Sequence, residues 1–186
     1  MEHEDIQVGL KVASFLLSYP NKEFYGQLSE YRLAVETMQP SDATKAFNEF
    51  FTFLEQHSQD HLIQTYITTF DFGKKTNLYV TYMTNGEQRE RGMELLDIKN
   101  FYKAHGFEAG ESELPDYLPI MLEFTSAVER EAAVELLGKY RKNIEEIRAQ
   151  LASGKNDYLP VFHAINCLMR MLGLDSVSEI ADRGEE

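Results

Sequence analysis

Cysteine and long apolar runs are both scarce in this sequence. Cys167 is the single cysteine among 186 residues, which excludes an internal disulfide framework and a paired-cysteine zinc or redox motif. No run approaches the ~20 apolar residues that a membrane-spanning helix needs. The N-terminus is acidic rather than basic, and the apolar segment 12–17 is too short for an export signal. We therefore expect a cytoplasmic protein without membrane insertion.

Basic residues are also few compared with acidic ones. Against 31 Asp and Glu stand 18 Lys and Arg, for a formal net charge of −13. Such a field repels nucleic acid phosphates and favours encounter with basic partners, so a nucleic acid partner is not expected. With 43% hydrophobic residues, 12 Phe and 10 Tyr, the chain has enough apolar material for a folded core. We expect one domain over residues 1–186, with a frayed C-terminus at about residues 182–186.

The usual catalytic signatures are missing. The sequence has no GxSxG, no GxxxxGK[ST] and no GxGxxG motif, which are typical of a hydrolase, a P-loop and a dinucleotide site. The closest approach to a metal site is the pair His57 and His61. The intervening Ser-Gln-Asp is also a turn and cap sequence, which would point the two rings apart. The interpretation is a protein that is not an enzyme, with no catalytic residue and no metal.

Apolar residues recur at helical spacing through most of the chain. The clearest sets are Phe47, Phe50, Phe51 and Leu54; Leu95, Ile98, Tyr102 and His105; Leu137, Tyr140, Ile144, Ile147 and Leu151; and Phe162, Ile165, Met169 and Leu172. This spacing places each set on one face of a helix. No segment alternates with period two for long, so strands are not expected. The pattern predicts an all-α, single-domain bundle of about eight to ten helices.

The segment ESELPDYLPIMLEF, residues 111–124, combines acids and prolines directly before an apolar run. If Asp116 caps a helix starting at Tyr117, the core face consists of Tyr117, Met121, Phe124 and Val128. Leu118 and Pro119 would then stay partly free. An adjoining stripe would carry Asp116, Ile120 and Glu123. Two interpretations remain open: the stripe binds a basic amphipathic ligand, or the acids only keep one face of the bundle soluble.

Four segments together resemble a known family. The string ELPDYLP, residues 113–119, resembles the E-L-P-D-[HY]-L-P signature of the NarJ/TorD/DmsD family, and specifically of its NarJ group, the nitrate reductase molybdenum cofactor assembly chaperones or delta subunits. Residues 13–20, 66–82 and 86–102 are similar to further segments of that group, in the same order. The resemblance covers roughly residues 10–130. Tyr117 stands where many members have histidine, so no argument that needs a histidine there applies to this chain.

This resemblance implies an all-helical cytoplasmic chaperone. Such a protein binds the N-terminal leader, or leader remnant, of the nitrate reductase α subunit. It holds the apo αβ complex until molybdopterin guanine dinucleotide is inserted, and only then does the complex dock on the membrane-bound γ subunit. The chaperone itself would bind no cofactor stably.

The resemblance also indicates candidate peptide-binding residues. The apolar and aromatic candidates are Phe70, Tyr79, Tyr82, Leu114, Leu118 and Ile120, with Pro115 and Pro119 in the same motif. The acids Glu113, Asp116 and Glu123 would contact basic side chains of the peptide. Asp71 matches the Phe-Asp pair of the family and would serve either as a helix cap or as a peptide contact.

Arg89 and Arg91 leave two interpretations open. They would contact the client or a cofactor phosphate, or they would pair within the chain with Glu87, Glu90 or Glu94. The acids alternate with the arginines in this segment, which favours the pairing within the chain.

Other functions would share some of these residues. A helical adaptor or regulatory domain would use the same acidic surface for a different amphipathic peptide. A nucleotide-acting enzyme would need Asp71, Asp116 and the two arginines to converge on a metal and phosphates. Exposed apolar surface would also allow self-association into a homodimer.

Overall fold

The computed structural model of the chain describes residues 2–82, 88–110 and 112–175. Within these ranges it contains eight α-helices and one π-helix. They are α1 (Glu2–Leu16), α2 (Lys22–Thr37), α3 (Asp42–Gln56), α4 (Gln59–Tyr66), the π-helix (Ile67–Asp71), α5 (Gln88–Ala104), α6 (Leu118–Ala127), α7 (Arg130–Ser153) and α8 (Leu159–Met171). The all-α prediction is confirmed. The frayed end expected at 182–186 lies outside the described residues.

Several helices begin where the sequence supplies a capping side chain. Ser41 starts α3 with a capping box, in which Ser41 and Thr44 exchange hydrogen bonds between side chain and backbone. The side chains of Asn21 and Ser58 accept backbone bonds at the starts of α2 and α4. These bonds satisfy N–H groups that have no partner within the helix.

The helices pack around one core cluster of buried residues. Helix α1 contacts α2, α6 and α8, and α8 in turn contacts α3 and α7. The core faces predicted for α3, α7 and α8 are confirmed, since every apolar residue of those three sets is buried. None of the helices among the described residues is long and apolar enough to cross a membrane.

Helix α6 differs from its prediction. It begins at Leu118 rather than Tyr117, and Leu118 and Pro119 are buried rather than partly free. The reason is that α6 contacts both α1 and α7, so more than one face is covered. The Ser14 hydroxyl of α1 donates a 2.6 Å hydrogen bond to the Pro119 carbonyl and so holds the first turn of α6 against α1.

The histidine pair also differs from its prediction. The turn between α3 and α4 is confirmed, because α3 ends at Gln56, His57 is its C-cap, and Ser58 caps the start of α4. The rings of His57 and His61, however, stack with centroids 4.6 Å apart instead of pointing apart. No group of three or more His, Cys, Asp or Glu side chains in the described ranges could hold a metal ion.

Candidate functional site

Two of the segments singled out in the sequence are joined directly. Tyr79 and Tyr117 form an isolated antiparallel bridge. The Val80 amide donates to the Asp116 carbonyl at 3.0 Å, and the Leu118 amide donates to the Leu78 carbonyl at 2.8 Å. This pairing fixes the ELPDYLP motif on the segment that follows the π-helix.

Asp116 lies beneath this bridge and is fully buried. Its Oδ2 atom accepts hydrogen bonds from the Thr81 amide at 3.2 Å and from the Thr81 hydroxyl at 2.7 Å. Arg91 donates from Nε to the Thr81 hydroxyl at 3.2 Å, and its terminal nitrogen lies 3.4 Å from Oδ2. Asp116 is therefore neither a helix cap nor a free surface charge. The predicted helix cap at Asp116 was wrong because the bridge holds Tyr117 extended, so the motif enters the core before α6 begins.

The arginines therefore have different environments. Arg91 does pair within the chain, but its partner is Asp116 instead of a neighbouring glutamate. Glu94 accepts a 2.8 Å bond from the Tyr140 hydroxyl, and Glu87 lies outside the described residues. Arg91 also lies over the exposed ring of Tyr82, with its guanidinium carbon 5.6 Å from the ring centroid. Arg89 is exposed.

Hydrogen bonds from two helices also hold the ELPDYLP motif and the segment bridged to it. The Tyr102 hydroxyl of α5 donates to the Pro115 carbonyl at 2.7 Å. The Asn143 amide of α7 donates to the Val80 carbonyl at 2.6 Å. Helices α5 and α7 therefore both position the bridged segments.

The π-helix carries two of the candidate residues to the same place. A π-helix contains a wider turn than an α-helix and is often found at functional sites. Phe70 is buried and packs on Tyr158, with ring centroids 4.8 Å apart, while Asp71 is exposed. Asp71 is the last residue of this element and does not cap a helix start. The turn therefore places an aromatic ring inside and a carboxylate at the surface.

Thr69 holds the π-helix in place. Its hydroxyl accepts a 2.8 Å bond from the Asn156 amide, and its carbonyl accepts from the Thr76 hydroxyl. Gly73 is required at the exit, because a Cβ atom there would collide with the Thr69 carbonyl oxygen and the Thr76 hydroxyl. The geometry of this segment thus depends on one glycine and one asparagine.

A pocket of about 260 Å³, here called the tyrosine pocket, opens between these elements. It is lined by Tyr19, Tyr66, Phe70, Asp71, Asn77, Leu78, Tyr79, Glu113 and Tyr117. Four of these residues were candidate peptide-binding residues in the sequence, namely Phe70, Asp71, Tyr79 and Glu113, whereas Tyr117 was expected on the core face of α6. Tyr19 and Tyr66 were missed, although both lie in segments that resemble the family, because nothing in their spacing marks them as neighbours.

Hydrogen bonds fix most of the tyrosine rings. The Tyr66 hydroxyl donates to the Leu17 carbonyl at 3.1 Å and lies 2.8 Å from the Tyr117 hydroxyl. The Tyr79 hydroxyl donates to the Glu113 carboxylate. Burial is the main cause that raises the pKa of Tyr66, Tyr79 and Tyr117, and Glu113 raises the pKa of Tyr79 further. These hydroxyls are therefore neutral near pH 7, and the charge of the pocket comes from Asp71 and Glu113.

A second pocket of about 400 Å³, here called the leucine pocket, adjoins the first. It is lined by Leu95, Leu96, Lys99, Ala109, Gly110, Glu113, Leu114 and Pro115. Leu96 and Leu114 are 57% and 42% exposed, so this apolar surface is open to a ligand. Glu113 lines both pockets. An acidic aromatic site and an apolar site therefore meet at one residue.

The other candidates lie away from the two pockets. Leu118 and Pro119 belong to the core, and Ile120 and Glu123 lie further along α6. A separate pocket of about 370 Å³, near the start of α8 and His163, contains none of the candidates. The two pockets therefore contain only part of the candidate set, namely Phe70, Asp71, Tyr79, Glu113, Leu114 and Pro115.

An all-helical bundle with an apolar pocket beside an acidic one has a surface on which a peptide segment could fit. The sequence model of the nitrate reductase delta subunit family matches residues 37–164. This chain belongs to that family, and its resemblance to the NarJ group is confirmed.

Individual relatives extend this match to most of the chain. The probable nitrate reductase molybdenum cofactor assembly chaperone NarJ of Bacillus subtilis (strain 168) is 40% identical over 174 residues, 94% of this chain and 95% of that protein. The assembly chaperone NarJ of Escherichia coli (strain K12) is 27% identical over 96% of this chain and 78% of its own length. The nitrate reductase-like protein NarX of Mycobacterium tuberculosis (strain CDC 1551 / Oshkosh) is 30% identical over 85% of this chain, which corresponds to 23% of NarX. The NarJ relatives are named as chaperones, which agrees with the expectation of a protein that is not an enzyme.

Proposed function

We propose that this protein is an assembly chaperone for respiratory nitrate reductase. It binds the N-terminal leader, or leader remnant, of the α subunit across the leucine pocket and the tyrosine pocket. It holds the apo αβ complex in the cytoplasm while molybdopterin guanine dinucleotide is inserted, and releases it before membrane docking. The chaperone role is supported by the names of the relatives. The observation that carries the peptide site is that Glu113 joins an apolar pocket to an acidic one.

Such a pair of pockets suits an amphipathic peptide. A segment that is disordered when free can fold as a helix and place its apolar side chains in the leucine pocket. Ordering the segment costs about 2 to 5 kcal/mol, which keeps the complex reversible. Release is necessary for a chaperone that does not remain in the finished enzyme.

Charge supports the same partner. The net charge of −13 attracts basic segments and steers their approach, whereas it repels nucleic acid. The carboxylates of the tyrosine pocket place part of this charge beside the apolar surface. In this proposal the protein assists cofactor insertion by binding the client subunit, and it does not itself bind the cofactor stably.

The test is calorimetric titration with a synthetic peptide from the N-terminus of the nitrate reductase α subunit and with a scrambled peptide. We expect a dissociation constant in the micromolar range or below for the first peptide only. Leu96→Glu, in the leucine pocket, should weaken binding at least about tenfold, which corresponds to ~1.4 kcal/mol.

The matched control is Leu33→Glu. Leu33 is 61% exposed on α2 and lines neither pocket, so its substitution adds the same charge to a similarly exposed leucine. It should leave the peptide affinity within about twofold, because a single added surface charge outside the pockets has only a weak electrostatic effect. Failure of a well-folded protein to bind the peptide would contradict the proposed function and favour a helical adaptor with another client. Equal losses in both variants would contradict only the placement of the site at the leucine pocket.

A further inference from the structure

We propose that the tyrosine pocket receives one cationic side chain, a lysine or arginine of the bound peptide, and thereby fixes the position of that peptide across the two pockets. This inference rests on the proposed function and deepens it. It assigns the pocket to a specific chemical group instead of to a general acidic surface.

The ring faces are the first argument. Four tyrosines line this pocket, and most of their hydroxyls already have partners. Tyr66 bonds to Leu17 and Tyr117, and Tyr79 bonds to Glu113. Tyr66 is buried, whereas Tyr19 is 44% exposed and Tyr79 and Tyr117 are half-buried, so these three can still present ring surface to a ligand. The π-face of such a ring attracts ammonium and guanidinium groups. An arginine would also stack its planar group on such a ring.

The two carboxylates are the second argument. Among the residues that the structure describes, no lysine or arginine forms an ion pair with Asp71 or with Glu113. Both are exposed residues, and Lys99, which lines the leucine pocket together with Glu113, forms no ion pair with that carboxylate in the described part of the chain. A cation that entered between the rings would be favoured by both carboxylates and by the π-faces together.

Size and charge make this pocket a poor fit for a nucleotide cofactor. A volume of about 260 Å³ is below the ~300 to 1,000 Å³ that is typical of small-molecule sites. A pyrophosphate would also face two carboxylates. The pocket thus fits a side chain much better than a dinucleotide.

The shared residue explains how a cation would set the position of the peptide. Because Glu113 lines both pockets, a cation held in the tyrosine pocket lies next to an apolar side chain held in the leucine pocket. A helix presents such neighbours three or four residues apart. Only peptides with a basic residue at the right distance from an apolar one would fill both pockets.

The experiment replaces each lysine of the α-subunit peptide by norleucine and each arginine by citrulline, one at a time, and measures binding by calorimetry. We expect one replacement to weaken binding to the wild-type protein about tenfold. The same replacement should have no further effect on the Asp71→Asn/Glu113→Gln protein, since the carboxylates that face the cation are gone. Glu123→Gln is the control, because Glu123 is an exposed acid of α6 that lines neither pocket.

The outcomes separate this inference from the proposed function. A parent peptide that binds, with replacements that act equally on wild-type protein and double variant, would overturn the cation pocket and leave the chaperone role intact. If the parent peptide does not bind, the proposed function fails. NMR titration with N-acetylarginine amide and its neutral citrulline analogue then tests whether the tyrosine pocket binds a cation. Shifts of the pocket tyrosine resonances with the arginine compound alone support it; equal shifts or none overturn it.

Discussion

The guanidinium of Arg91 lies 3.4 Å from the Oδ2 atom of Asp116, a carboxylate that solvent does not reach. Thr81 donates to the same oxygen through its amide and hydroxyl. The other oxygen, Oδ1, has no hydrogen-bond partner within the described part of the chain. A buried carboxylate with so few donors depends on its counter-charge. This pair therefore ties the start of α5 to the ELPDYLP motif.

Arg91→Met should lower the free energy of unfolding by about 1 to 3 kcal/mol, because it leaves a buried carboxylate without its cation. Asp116→Asn removes the charge but keeps an oxygen that can accept from Thr81. The double variant should be more stable than the sum of the single losses predicts, and urea unfolding measures all three. Arg89→Met, on the exposed part of the same helix, should change stability by less than about 0.5 kcal/mol. Additive losses would show that the two side chains are not coupled.

Gly73→Ala should destabilise the protein by more than about 1 kcal/mol, because the added methyl group would collide with backbone at Thr69. Since Thr69 lies in the π-helix that carries Asp71, peptide affinity should fall as well. Gly26→Ala is the control, because a Cβ atom there meets nothing within 4 Å on α2. That change should stabilise the helix by about 0.5 to 1 kcal/mol. Urea unfolding and peptide titration check both variants, and equal stability of the two would contradict the tight exit from the π-helix.

The buried helical faces were predictable because a helix with one buried face has apolar residues at regular spacing in the sequence. Leu137, Tyr140 and Ile144 of α7 are buried as their spacing predicted. The same reasoning failed for Leu118, since α6 is covered by both α1 and α7 and has no clear solvent face to set the period.

The site was predictable only in part, for reasons of distance along the chain. The resemblance brought Asp71, Tyr79 and Glu113 into consideration, and the structure places all three in one pocket. The burial of Asp116 depends on Arg91, 25 residues earlier in the chain, and no periodicity reports such a partner. The π-helix at Ile67–Asp71 was not predictable either, because the only local sequence feature that accompanies it is Gly73.

Alkaline pH should destabilise the protein. Burial is the main cause that raises the pKa of Tyr66, Tyr102 and Tyr140 far above the ordinary value. Above pH ~10 the unfolded chain loses tyrosine protons that the folded protein keeps, so the free energy of unfolding falls as the pH rises. Below pH ~10 both states are protonated and these rings give no pH dependence. Urea unfolding at a series of pH values measures the slope.

Tyr102→Phe provides the control for this pH dependence. Its slope above pH ~10 should be smaller by up to about 1.4 kcal/mol per pH unit, the contribution of one proton. Its stability near neutral pH should also fall by about 0.5 to 1.5 kcal/mol, because the hydrogen bond to the Pro115 carbonyl is lost. An unchanged slope would mean that this ring ionises as readily in the folded protein as in the unfolded one.

Leu114 and Leu118 belong to one motif, but substitution by alanine should affect different properties. The change at Leu118 should lower the stability of the fold, and the change at Leu114 should lower peptide affinity. Leu118 is 0% exposed, so its loss should cost about 2 to 5 kcal/mol of stability through the cavity it leaves. Leu114 is 42% exposed in the leucine pocket, so its loss should change stability by less than about 0.5 kcal/mol and weaken the peptide complex. Urea unfolding followed by titration of the folded fraction separates the two effects. If Leu118→Ala kept full stability, or Leu114→Ala lost as much as Leu118→Ala, the division of this motif into a core side and a ligand side would be wrong. Of these two residues, only Leu114 therefore tests peptide binding, since any loss of binding by Leu118→Ala would follow from its loss of folded structure.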